Sequence, residues 1–218
     1  MKVAIDGPGG AGKSTISRAV AKKLNFIYID TGAMYRAVAL YAILKGVDTK
    51  SDAVDALLPD IEIKITHEND MQRIYLCGED VSDQIRTPEV SVGASDVAVR
   101  PAVRLKLVEL QRQLAKTVDV IMDGRDIGTY VLPDAEVKIF LVASIEERAR
   151  RRHKELLEKG TACSIEEVLK DLQYRDANDS NRAFAPLRQA EDAVLLDTTD
   201  YTFDESVEKV ISIIKGKM

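Results

Sequence analysis

The sequence predicts an α/β domain built on a mostly parallel sheet. Three observations carry that expectation: short apolar runs that do not alternate, helix-start signals between them, and a glycine-rich turn joining the first run to the first helix. The runs are residues 3–6, 26–30, 118–123, 137–142 and 194–197. Near-continuous hydrophobicity marks strands covered on both faces, where neither side has to meet water. Between them, Ser144, Ser164 and Thr202 each precede a Glu by three residues, which predicts three capping boxes opening three helices. The helix that starts near Ile145 should stop at Lys159-Gly160, a basic last turn followed by a residue free to turn left-handed.

One stretch breaks the alternation. Residues 62–66 and 72–76 read as two strands flanking a polar turn at 67–71, and a long helical region over 89–116 is interrupted at Pro101. The expectation is one domain over 1–218, with residues 33–116 inserted between the second and third core strands and a small β insert near 60–86.

Charge and composition remove several functions. Lys plus Arg is 31 and Asp plus Glu is 36, so the formal net charge is −5, a poor match for nucleic acid or an anionic membrane surface. With no Trp and 5% aromatic residues, a base-stacking RNA surface is not expected either. No apolar run reaches the roughly 18 residues of a membrane span, and the first residues meet an acid at Asp6, unlike a secretory leader. Cys77 and Cys163 lie far apart, and His67 and His153 are the only histidines. That excludes a disulfide framework and a zinc cluster and suits a cytoplasmic protein.

The chemistry begins at Gly7-Pro8-Gly9-Gly10-Ala11-Gly12-Lys13-Ser14, which fills every fixed position of G-x-x-x-x-G-K-[ST] and is followed by Thr15. It lies directly after a strand and opens a helix, the context the phosphate loop requires. Glycines let successive N–H groups close around phosphate oxygens, and the helix N-terminus adds positive potential. Lys13 can bridge the β- and γ-phosphates, while the Ser14 hydroxyl can reach Mg²⁺. A nucleoside triphosphate is therefore the expected ligand. The loop alone does not choose between hydrolysis, switching and transfer to an acceptor.

Other charged residues gather where strands end, the edge at which open α/β sheets bind ligands. Arg36 follows Asp30-Thr31-Gly32; it is either an exposed helix residue or a grip for a second phosphate. In Asp123-Gly124-Arg125-Asp126-Ile127-Gly128-Thr129, Asp123 stands where a carboxylate would hold Mg²⁺ or its waters. The Arg125-Asp126 pair either faces a ligand or braces a turn. Arg148, Arg151 and Arg152 share one helix face, so Glu146, Glu147 and Glu155 or a triphosphate must offset them. Arg175, Asp179 and Arg182 follow at i, i+4 and i+7, as either a surface ladder or a site. Residues 159–163 between the two arginine-bearing helices could form a mobile lid, taken broadly as 153–170.

With these residues together, the chain resembles the nucleoside-monophosphate kinases, and closely the bacterial cytidylate kinases, the CMP/dCMP kinases. The carrying segments are IDGPGGAGKST (5–15), DTGAMYRAVAL (30–40), GEDVSDQIRTPEVS (78–91), DGRDIGT (123–129), PDAEVKIFLVAS (133–144) and RDANDSNRAFAPL (175–187), spread over nearly the whole chain. The hairpin fits too, since bacterial members carry a short β insert in the subdomain that binds the acceptor nucleotide. The resemblance implies an adenylate-kinase-like P-loop fold with a five-stranded parallel core, that subdomain and a short lid. It implies that Arg36, Arg125 and Arg175 contact the acceptor phosphate and that Ser95, Arg104 and Asp126 read the cytosine. It also sets Asp179 and Arg182 around the ribose and acceptor. Position 14 is Ser where some members carry Gly, and position 31 is Thr where others carry Ser; the Thr31 hydroxyl is counted with the acceptor site.

The expected reaction is Mg-dependent transfer from ATP to CMP or dCMP, in pyrimidine nucleotide metabolism, by a monomer. Lys13, Arg125, Arg148, Arg152 and Arg175 are the candidate catalytic residues, and Ser14 and Asp123 the candidate metal ligands. Arg148 and Arg152 are expected to close over the adenine and the transferring group. Two rivals stay open: a kinase for UMP, AMP or a small alcohol, and a nucleotide switch. Against the switch stands the lack of an N/T-K-x-D guanine-reading motif.

Overall fold

The computed structural model describes residues 1–68 and 71–218. From the N-terminus come β1 (Lys2–Asp6), α1 (Lys13–Leu24), β2 (Ile27–Asp30), α2 (Thr31–Leu44) and the short α3 (Ala53–Leu57). Next are β3 (Ile63–Glu68), β4 (Met71–Leu76), β5 (Glu79–Asp80), α4 (Pro88–Val97) and α5 (Pro101–Leu114). The chain closes with β6 (Val120–Gly124), β7 (Val137–Val142), α6 (Ile145–Glu158), α7 (Ile165–Asn181), β8 (Val194–Asp197) and α8 (Phe203–Lys215).

All five apolar runs become strands of one parallel sheet, ordered β2-β6-β1-β7-β8. The central β1 is sealed on both faces, with Val3, Ala4 and Ile5 each 0% exposed. Val3 and Ile5 pack under α1 and α8 with Val20, Val210 and Ile214, while Ala4 turns to the opposite layer with Val108 and Met122. Strand edges shift slightly from expectation. Phe26 is spent on closing α1, its N–H donating to Ala21 O at 2.9 Å, so β2 starts one residue later. The edge strand β8 leaves Val194 and Leu195 exposed, because only its β7 side is paired.

The insert holds more than a hairpin. β3, β4 and the two-residue β5 form a three-stranded antiparallel sheet. The polar segment 67–71 was expected to be the turn, but His67 and Glu68 continue β3 and β4 resumes at Met71; the rest of that turn lies outside the described residues. This sheet docks on the free edge of β2 through side chains. Gln72 accepts from Asp30 N at 2.8 Å and donates to Asp30 O at 3.3 Å, so one amide stands in for a neighbouring strand. His67 Nε2 lies 2.8 Å from Tyr28 O. The helical region splits as Pro101 requires: α4 ends at Val97, and Pro101 opens α5 at its first turn.

Two of the three capping boxes are complete, at Ser164 and Thr202. The third is half-made. Ser144 Oγ accepts from Glu147 N at 3.3 Å, but the Glu147 carboxylate pairs with Arg150 and Arg151 at 2.7 and 2.6 Å. Two cations outcompete one backbone amide. No helix among the described residues is long and apolar enough to cross a membrane.

At the C-terminal end of β1, buried Asp6 accepts from Ile127 N and Gly128 N, each at 2.8 Å. Burial pushes its carboxyl up to about 7, against the pull of those two amides and Lys13. Asp6→Ala strands both amides in the interior. The expected cost is about 2–4 kcal/mol, read as a fall in the urea midpoint; an unchanged midpoint would show the turn holds without it.

Candidate active site

The carboxyl ends of β1, β2 and β6 deliver functional groups to a cleft of about 1260 Å³, walled further by residues of α6 and α7. β1 runs into the phosphate loop. Gly7 has φ +149°, and a Cβ there would stand 2.0 Å from Leu141 O, so only glycine lets the loop leave β1 against β7. Lys13 is 5% exposed and donates to Pro8 O at 2.7 Å across the loop. Burial, then the nearby Arg125, holds its ammonium well below the usual lysine range, against the pull of Asp123, Asp179 and Asp6.

Ser14 and Asp123, chosen as metal ligands from positions 109 apart, meet: Ser14 Oγ donates to Asp123 Oδ2 at 2.9 Å. Tyr28 OH donates to Asp123 Oδ1 at 2.8 Å, and Thr31 Oγ1 donates to Asp123 O at 2.7 Å. Burial, with Asp30 close by, pushes the Asp123 carboxyl up. Among the described residues no cluster of three His, Cys, Asp or Glu could hold a metal unaided. One carboxylate and one hydroxyl are nonetheless the donor set suited to Mg²⁺, which keeps waters and takes its remaining oxygens from nucleotide phosphates. The residues fit the ion.

Facing the loop is a set of guanidinium groups held by aspartates. Asp30 caps α2 by accepting from Ala33 N at 3.0 Å, and it pairs with Arg36 at 2.7 Å and Arg86 at 3.1 Å. Burial works against its charge, yet the two arginines hold the carboxyl well below the ordinary range. Arg125 and Asp126 do not brace one another: Arg125 Nε pairs with Asp179 at 2.6 Å, and Asp126 turns inward. Its two oxygens take Arg182 at 3.1 Å and Arg104, in a knot where Arg104 is 0% exposed. Ser95 lines the same pocket and accepts from Asn178 Nδ2 at 3.3 Å. The stripe on α7 is thus no surface ladder; Asp179 is buried, and Arg182 is the buried residue that ends the helix. Arg175 makes no ion pair among the described residues, and a Cβ on Gly9 would stand 3.6 Å from its guanidinium carbon. Burial and then Arg125 push its pKa down to about 10.

The α6 arginines divide. Arg148, expected over the nucleotide, lies behind the loop instead. It donates to Gly9 O at 2.9 Å and Ala143 O at 3.1 Å and pairs with Asp176 at 2.7 Å. Arg152 lines the cleft, paired with Glu155 at 2.8 Å. Arg151 also reaches the site, donating to Thr198 O at 2.7 Å. Sequence reasoning missed Arg86 and Tyr28 as site residues. Arg86 sat in a segment used for the resemblance, but nothing in its spacing pointed to Asp30.

A phosphate loop after β1 in a parallel α/β sheet, with an arginine-rich wall lining the same cleft, defines a P-loop protein. A family model described as cytidylate kinase matches residues 3–216. A cytidylate kinase of Halalkalibacterium halodurans is 49% identical, covering 100% of this chain and 99% of that protein. One of Caldicellulosiruptor saccharolyticus is 52% identical over 98% of this chain and 95% of its own. The chain belongs to the cytidylate kinase family and is a nucleoside-monophosphate kinase. A gluconokinase structure from Sinorhizobium meliloti shares the fold at TM-score 0.52 and 12% identity, covering 99% of this chain and 93% of that one.

Proposed function

We propose that this kinase transfers the γ-phosphoryl group of Mg-bound ATP to CMP or dCMP. The carrying observation is the facing of Lys13 and Ser14 by Arg36, Arg125 and Arg175 across one cleft, with the buried Arg104–Asp126–Arg182 knot beyond them. An acceptor phosphate oxygen attacks the γ-phosphorus in line, that bond forms as the bond to the ADP oxygen breaks, and ADP leaves. Residues 7–15 hold the donor phosphates. Lys13 moves from Pro8 O to phosphate oxygens, and Arg125 and Arg175 neutralise the charge spread over the transferring group. When bound with ATP at Ser14 and Asp123, Mg²⁺ supplies charge neutralisation between the phosphates.

Arg36, with Arg86, grips the acceptor phosphate; Thr31, Asp179 and Arg182 bound the ribose, and Ser95, Arg104 and Asp126 read the base. Cytosine presents an amino donor beside ring acceptors, which suits an acidic acceptor next to an arginine donor. Residues 33–116 serve as the acceptor-binding unit, and the 153–170 segment as the lid carrying its flank of Arg152 over the donor. Arg148 assists by fixing the loop carbonyl of Gly9 rather than by touching ATP.

Coupled ADP detection with CMP, dCMP, UMP, AMP and no acceptor tests this reading. The expected result is strong turnover with CMP and dCMP and almost none without acceptor. A preference for UMP or AMP overturns the base-reading set, and acceptor-independent hydrolysis overturns the transfer.

A further inference from the structure

Gln111 lies on α5 two turns beyond Arg104, on the same helix face, and lines the same cleft as Ser95, Arg104 and Asp126. It is 1% exposed, and neither its Nε2 nor its Oε1 has a hydrogen-bond partner. The amide stands beside the Tyr35 hydroxyl without meeting hydrogen-bond geometry. Arg104 Nε, over the face of the same Tyr35 ring, is also buried without a partner. A buried amide with both ends unpaired destabilises a fold, so a leucine would serve a purely structural position better. The unpaired atoms are two donors and one acceptor, on residues that line one cleft.

We propose that Gln111 is a base-binding residue of the acceptor site, donating from Nε2 and accepting at Oε1 along the edge of a pyrimidine ring. The inference rests on the reading of this pocket as the acceptor-base site. A carboxamide presents a donor and an acceptor side by side. The ring nitrogen and exocyclic amine of cytosine present an acceptor beside a donor, which is the complementary pair. A carboxamide can also turn over and meet the imide edge of uracil. Gln111 therefore contributes affinity to both bases, and the choice between amino and keto groups falls to Asp126 and Ser95.

Gln111→Leu and Gln111→Met, which keep the volume and remove both polar atoms, test it. Steady-state kinetics with CMP and UMP are measured beside CMP binding by calorimetry and inhibition by ribose 5-phosphate, an acceptor fragment without a base. The expected result is a rise of about tenfold or more in KM and Kd for CMP, as for one lost buried pair of hydrogen bonds. KM for UMP rises by the same factor, while KM for ATP and inhibition by ribose 5-phosphate stay unchanged. An unchanged Kd for CMP in a folded variant overturns the proposal. So does an equal weakening of ribose 5-phosphate, which marks a residue that only shapes the site; the methionine variant is read alone if the leucine variant does not fold. Failure of the unsubstituted enzyme to use any pyrimidine nucleotide overturns the acceptor reading itself, and the proposal with it.

Discussion

Lys13→Ala lowers kcat by about a thousandfold at saturating ATP and acceptor, the scale expected when one fixed charge is removed from a phosphoryl-transfer site. The fold survives the change. Lys13 is a buried ammonium whose charge is disfavoured by burial and by Arg125, and its one donated hydrogen bond goes to the carbonyl of Pro8, inside its own loop. Alanine relieves that repulsion, so the thermal midpoint stays close to that of the parent while single-turnover transfer collapses. Lys13→Met gives the same result with the apolar stem retained. Turnover above a tenth of the parent rate in either variant would remove Lys13 from the transfer step. Binding of ATP weakens far less than kcat falls, because the loop amides still close around the phosphates.

Asp126→Ala has the second large effect and acts on two quantities together. Both carboxylate oxygens are engaged, one by Arg182 at 3.1 Å and the other by Arg104, and all three side chains are buried. Removing the carboxylate leaves two buried guanidinium groups facing each other, Arg104 without its acid and Arg182 with only Asp179 at 3.6 Å. The expected loss of stability is about 3–5 kcal/mol, the range for breaking a buried ion pair from one side. Because Asp126 is also the group proposed to accept from the cytosine amine, kcat/KM for CMP falls by about 10²–10³ in the molecules that remain folded. Asp126→Asn keeps one acceptor and the shape, so it recovers part of the stability while the CMP-over-UMP ratio still drops. A CMP preference intact in Asp126→Asn would assign Asp126 to holding the arginines alone.

The parallel core and the phosphate loop were legible because their information is local. A strand, a turn and a helix start lie within residues 2–15, so neighbours in sequence are neighbours in space. The acceptor side was legible only in part, since its residues come from separate elements. Arg125 and Asp126 are adjacent in the chain yet leave in different directions, toward Asp179 and toward Arg104 with Arg182. No spacing rule contains that divergence, and Arg104 and Ser95 entered only through the family resemblance. On α6, helical periodicity puts Arg148 and Arg152 on one face, and what spacing does not contain is that Arg148 donates to Gly9 O while Arg152 lines the cleft. Gln72, Arg86 and Gln111 carried no spacing signal of their own, because a polar residue in a helix or strand looks solvated until its surroundings are known.

Five cleft arginines, Arg36, Arg86, Arg104, Arg125 and Arg182, are already paired, sharing the three carboxylates of Asp30, Asp126 and Asp179. The cleft therefore works as an ion exchanger rather than as an exposed positive pole. An arriving phosphate has to displace a carboxylate, and only a small anion that fits among these side chains can do so. A long polyanion meets instead the acidic exterior of a chain with net charge −5. Arg175, held against Gly9 without an acid of its own, is the point from which the exchange can begin.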